Sequence, residues 1–152
     1  MPIDLIVKAS QVRLMQGPPL SAERRAHLVT ATEAYIAAAG ALDALSIVAM
    51  LAEDVIYESQ WTLAPLNGRR AVGDYITAKY ETMRRSEGAH PKFQLGRIDL
   101  PEGADYPVAL VTQFGKAEAF VALSVNTEGR IVRHDILGLV PPASEVRIEE
   151  RK

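Results

Sequence analysis

The four residues Asn126-Thr127-Glu128-Gly129 constrain this chain more than any other short stretch. They separate two apolar, β-prone runs, Ala117 to Asn126 and Arg130 to Leu139. A connection that short joins antiparallel neighbours, and Gly129 stands where the turn needs a left-handed backbone. The first run is almost continuously apolar, the pattern of a strand covered on both faces. Phe93 to Leu100 and Pro107 to Phe114 read as two further strands, so the second half of the chain predicts four strands in succession.

The first half reads differently. Ser21 is a good N-cap with Glu23 in the first turn behind it, and Leu28, Thr32, Tyr35, Ile36 and Ala39 recur at helical spacing. Gly40 is placed to end that helix in a left-handed conformation. A short helix follows near Leu42 to Leu51, then a strand from Val55 to Trp61 that Pro65 ends. Asn67-Gly68 turns the chain into a third helix, Arg69 to Ser86, where Val72, Tyr75, Ile76, Lys79, Tyr80 and Met83 share the repeat. The predicted order is helix, helix, strand, helix, then four strands. Links of hairpin length imply α+β with an antiparallel sheet and helices on one face.

The chain has 152 residues, the size of one domain with one core. Residues 1–19 read as an arm, ending in the stiff break Gly17-Pro18-Pro19. Within the arm, Leu5, Ile6 and Val7 suit a strand, while Leu5, Val12 and Met15 suit one helix face. Residues 20–141 form the expected domain. After Pro141-Pro142, residues 142–152 form a charged tail expected to be loose. Seventeen basic against nineteen acidic residues give a net charge of −2, which argues against a nucleic-acid partner. Cysteine is absent, which excludes disulfides, thiolate catalysis and cysteine-ligated metals. No apolar run reaches the roughly 20 residues of a membrane helix. The apolar start is short and interrupted by Asp4, so the expected location is the cytoplasm, with no membrane partner.

Three stretches carry a resemblance. Tyr35-Ile36 through Ile47-Val48-Ala49-Met50-Leu51-Ala52-Glu53-Asp54-Val55-Ile56-Tyr57-Glu58 holds an apolar–Ala–acid–Asp–apolar junction between helix and strand. Asn67-Gly68-Arg69-Arg70-Ala71-Val72 is a glycine–basic–apolar helix entry, and Asn126-Thr127-Glu128-Gly129-Arg130-Ile131-Val132 is a glycine–basic–isoleucine hairpin. In order and spacing they resemble the nuclear transport factor 2-like superfamily, including its ketosteroid isomerase and SnoaL-like cyclase branches. The resemblance covers about residues 21–140. It implies a cone-shaped curved antiparallel sheet with three helices enclosing a pocket, and a homodimer formed through the sheet.

It also implies candidate residues. The isomerase branch uses a tyrosine donor, a carboxylate base and a protonated acid to stabilise an oxyanion. Tyr35 falls at the donor position. The base position falls on Ser59, with Glu58 adjacent, and the acid position falls near Val121, so the standard isomerase set is incomplete. Along the Val55 strand, Tyr57, Ser59 and Trp61 share one face and Glu58 and Gln60 the other. Apolarity favours the first set facing the pocket; the second would bring in a carboxylate base. His134 matches a histidine that SnoaL-like cyclases use in proton transfer, whereas Asp135, its neighbour on a strand, faces the opposite side. The blander alternatives are a core tyrosine at Tyr35 and a structural histidine at His134.

The candidate catalytic residues are therefore Tyr35, His134 and Glu58. The candidate ligand-binding residues are Tyr57, Ser59, Trp61 and Tyr80. His27 and His90 have no partner at ligand spacing, so no metal is expected, and no cofactor motif appears. The reading is a small-molecule-binding domain with a mostly apolar pocket, for an apolar or aromatic ligand, with lyase- or isomerase-like chemistry. Its alternative is a non-catalytic dimerisation or interaction module that buries Phe120 and Ala122, or Val121 and Leu123, against a second copy.

Overall fold

The computed structural model describes residues 20–59, 64–86, 90–99, 105–113, 115–138 and 146–148. The arm 1–19, Gln60, Trp61, Phe114 and Pro141-Pro142 lie outside the described residues.

Helix α1 spans Ala22–Gly40, and the Ser21 hydroxyl accepts from the Arg24 amide at 3.1 Å. A cap of this kind contributes about 1 kcal/mol. The expected left-handed stop at Gly40 is not there. Gly40 is the last helical residue, and it is Leu42 that adopts φ 55°. That conformation costs a branched residue roughly 1–2 kcal/mol. Leu42 is buried, and hiding a leucine side chain returns roughly 1.5–3 kcal/mol. Arg84 donates to the Leu42 carbonyl and fixes the turn from the far end of another helix.

Helix α2, Ala44–Met50, is capped by Asp43, which accepts from the Ser46 amide at 3.1 Å and the Ser46 hydroxyl at 2.6 Å. It runs straight into strand β1, Leu51–Ser59, which begins earlier than the sequence predicts. The short strand β2, Leu66–Asn67, folds back on β1, and helix α3 spans Arg69–Arg85. Arg69 Nε donates to the Val48 carbonyl at 3.2 Å and ties the start of α3 to the end of α2. Strands β3 (Lys92–Asp99), β4 (Asp105–Gln113), β5 (Lys116–Val125) and β6 (Ile131–Gly138) follow as predicted, to within two residues at every end. The tail is not wholly loose, because Val146–Ile148 adds β7 to the edge of β3.

These strands form one sheet in the order β2-β1-β6-β5-β4-β3-β7. The sheet is mixed rather than purely antiparallel: β1 pairs with β6 in parallel, setting Tyr57 beside His134 and Glu58 beside Asp135. Hairpin links dictate antiparallel neighbours only for strands consecutive in sequence, and β1 and β6 are not. At the β5–β6 turn, Gly129 takes φ 79°, and Asn126 Oδ1 accepts from the amides of Glu128 and Arg130 at 2.9 and 3.0 Å. Register shifts interrupt the β1–β6, β4–β5 and β5–β6 ladders. Such irregularities bend a sheet, and here they curve it around α1 and α3.

Helix α1 packs across β3, β4 and β5, while α3 packs on β1 and α2. Arg25 of α1 clamps Asp105 at the start of β4 at 3.0 Å, with Arg97 of β3 on the same carboxylate at 3.3 Å. The Arg25 hydrogen bond holds the Asp105 carboxyl below its ordinary range. Leu28, Ile47, Leu51, Val55, Val72 and Leu123 are among the side chains buried between helices and sheet.

Candidate functional site

Where α1 and α3 stand away from the curved sheet they leave a cavity of about 540 Å³. A hollow of that size accommodates a small ligand. Strand alternation decides what the sheet contributes. Tyr57 on β1, His134 and Ile136 on β6, Ala119 and Val121 on β5, and Val111 on β4 all line it. Their register partners across the ladders match, so one continuous face looks inward. The helical repeat does the same for α3, presenting Ile76, Lys79, Tyr80 and Met83.

Tyr35 and His134 meet on this wall. The Tyr35 hydroxyl lies 2.8 Å from His134 Nε2, inside hydrogen-bond distance, and both residues are buried. The imidazole is also held by ring contacts. Tyr57 stacks on it at 4.6 Å with a 19° interplanar angle, and Tyr35 meets it edge-on at 5.2 Å. Phe93 closes on Tyr35 at 6.2 Å, nearly perpendicular. Each such ring pair adds roughly 0.5–1.5 kcal/mol beyond its area. The rings are therefore fixed before any ligand arrives.

Burial sets the charge state. Loss of solvent, with a smaller effect from the nearby Lys79 ammonium, pulls the His134 pKa down to about 3, so the ring is neutral at physiological pH. Burial likewise pushes the Tyr35 hydroxyl well above its ordinary range, and Tyr80, which hydrogen-bonds Tyr35, up to about 12. Tyr57 is raised by burial too. All of these groups keep neutral, hydrogen-bonding forms. His134 Nδ1 is buried and makes no hydrogen bond to another residue's side chain among the described residues.

Of the predicted residues, Tyr35, His134, Tyr57 and Tyr80 come together around the cavity. Glu58 does not. It sits on the opposite face of β1 and pairs with Arg133, which also holds Asp135 at 3.1 Å. Apolar alternation turned Tyr57 inward, and Glu58 outward with it. Ser59 shares the Tyr57 face by alternation but is not among the lining residues. Trp61 lies outside the described residues. Lys79, Met83, His90, Phe93 and Gln113 line the cavity without having been singled out as site residues. Lys79 did leave a signal: a charged residue inside the apolar repeat of a helix. Among the described residues, no three His, Asp or Glu side chains cluster to hold a metal, and no helix is long and apolar enough to cross a membrane.

This geometry defines a class: an α+β cone whose bent sheet and helices enclose a ring-lined hollow. No known family profile and no curated protein matches the sequence. Solved structures share the architecture. A SnoaL-like protein of unknown function from Burkholderia thailandensis is 17% identical with a TM-score of 0.57, over 79% of this chain and 98% of that one. An NTF-2 like protein of unknown function from Burkholderia xenovorans is 14% identical with a TM-score of 0.52, over 76% and 85%. An LEH-like epoxide hydrolase from M. tuberculosis is 18% identical with a TM-score of 0.50, over 77% and 86%. The chain has the nuclear transport factor 2-like fold.

Proposed function

We propose that the protein binds a small, largely apolar molecule in the cavity, with the Tyr35 hydroxyl, its oxygen held by His134 Nε2–H, donating to a carbonyl oxygen of the molecule. The observation that carries this is the 2.8 Å contact between two neutral groups on the wall of a largely aromatic and aliphatic hollow. Both residues face the same void, which favours a ligand site over a filled cone serving only as an interaction module. Neutral donors fixed in a dry site stabilise charge that develops on a substrate oxygen, at no cost of rearrangement. That meets one requirement of isomerase- or lyase-like proton transfer beside a carbonyl; the other, a base, is supplied by no carboxylate among the described lining residues. With Nε2 engaged by Tyr35 and Nδ1 buried, His134 orients the hydroxyl and does not itself remove a proton. Glu58, bound to Arg133 on the other face, takes no part.

The test uses 2-acetylnaphthalene, an apolar ketone, as probe in titration calorimetry. Tyr35→Phe keeps the ring and removes the hydroxyl, so affinity falls about tenfold, the worth of one hydrogen bond in a dry site. Wild-type binding with no loss in Tyr35→Phe would remove Tyr35 from the role. No binding to the wild type would remove the ligand site altogether.

A further inference from the structure

The charged groups among the described lining residues of the cavity are one-sided. Lys79, three residues after Ile76 and next to Tyr80, brings an ammonium to the same hollow as the Tyr35 and Tyr80 hydroxyls and the His134 ring. An ammonium only donates, and hydroxyls readily donate. Among the described residues lining the cavity there is no Asp or Glu, and Lys79 has no ion-pair partner. The wall also leaves His134 Nδ1 buried, with no hydrogen bond to another residue's side chain among the described residues. Lys79 is exposed, so its ammonium stands at the solvent-facing rim of a largely apolar hollow whose described lining holds no acidic side chain.

We propose that the ligand supplies the negative charge: the site takes an aromatic or alicyclic carboxylate, its ring against Tyr57, Phe93 and Ile136 and its anionic group paired with Lys79. This rests on the small-molecule reading above and adds the sign of the ligand's charge. Two further observations agree. Lys79 is near enough to His134 for its charge to oppose protonation of that ring, so its field reaches the wall where the ligand would lie. Loss of solvent around the ammonium lowers the Lys79 pKa, and an anion alongside would reverse that loss. At the rim of a hollow the effective dielectric lies between that of water and that of the interior, so the charge should be visible in the affinity.

The experiment compares 2-naphthoate with 2-naphthamide, which match in shape and differ in charge, by titration calorimetry on the full chain. Wild type is expected to bind naphthoate tenfold or more tightly than naphthamide. Lys79→Met is expected to abolish the preference, and Lys79→Arg to keep most of it. Equal binding of the two by wild type overturns the charge assignment while leaving the apolar site standing. A preference that survives in Lys79→Met overturns the role of Lys79. Binding of neither compound overturns this proposal and the reading beneath it together.

Discussion

His134 carries a polar ring into a dry part of the sheet, and its charge state follows from what surrounds it. The unfolded imidazole titrates near 6.5 and the folded one at about 3. Between those values the unfolded chain holds the extra proton, so stability is full above the upper value and declines as pH falls through the window. The slope is at most about 1.4 kcal/mol per pH unit. Urea midpoints are expected to be clearly lower near pH 5 than near pH 7.5, and His134→Gln is expected to flatten the difference. Equal wild-type midpoints would mean that the ring is not held neutral. Much of this site was legible in the sequence. Tyr35 and His134 came from the resemblance, and Tyr57 from strand alternation. What could not be read was the contact between Tyr35 and His134, which depends on how a helix and the sheet face each other across 99 residues of chain. Glu58 was misplaced for a related reason: period-2 alternation says which residues share a face, and only the packed structure says which face is inside.

Helix α3 shows how elements, rather than single side chains, hold the hollow open. Its inner stripe lines the cavity, while Gly73 on the same helix meets α2. A Cβ at Gly73 would sit 3.2 Å from Val48 Cγ2, so the two helices approach as closely as a residue without a side chain permits. Gly73→Leu is expected to force them apart, costing about 1–3 kcal/mol in denaturant unfolding. An unchanged midpoint would show that α3 can move freely. Helix positions were well predicted because caps and apolar repeats are local. The left-handed residue was predicted at Gly40 and found at Leu42, because the burial that pays for a strained leucine is a tertiary fact. The parallel β1–β6 ladder was beyond any reading of turns, since no turn makes it.

For the whole molecule, the resemblance implies a homodimer through the sheet, and the sequence offers two faces for it, one with Phe120 and Ala122 and one with Val121 and Leu123. Phe120 and Ala122 lie on the face away from the cavity. We retain that dimer as a proposal. These side chains are 1% and 2% exposed in the single chain, so a dimer through them would require this face to open first. Their neighbours Val121 and Leu123 are turned to the cavity side and are equally buried. Sedimentation velocity at micromolar concentration decides it: a two-chain species keeps the dimer, and a single-chain species ends it. The junction of β1 with β6 bears on how the protein comes into being. Glu58 and Arg133 are 75 residues apart, yet their strands must lie side by side before Tyr57 can stack on the imidazole. Contacts between such distant parts of a chain form slowly, because the intervening loop must close before any reward arrives. The binding chamber is thus among the last things to be built, and an emerging polypeptide would remain unable to hold a guest until its final long strand had docked.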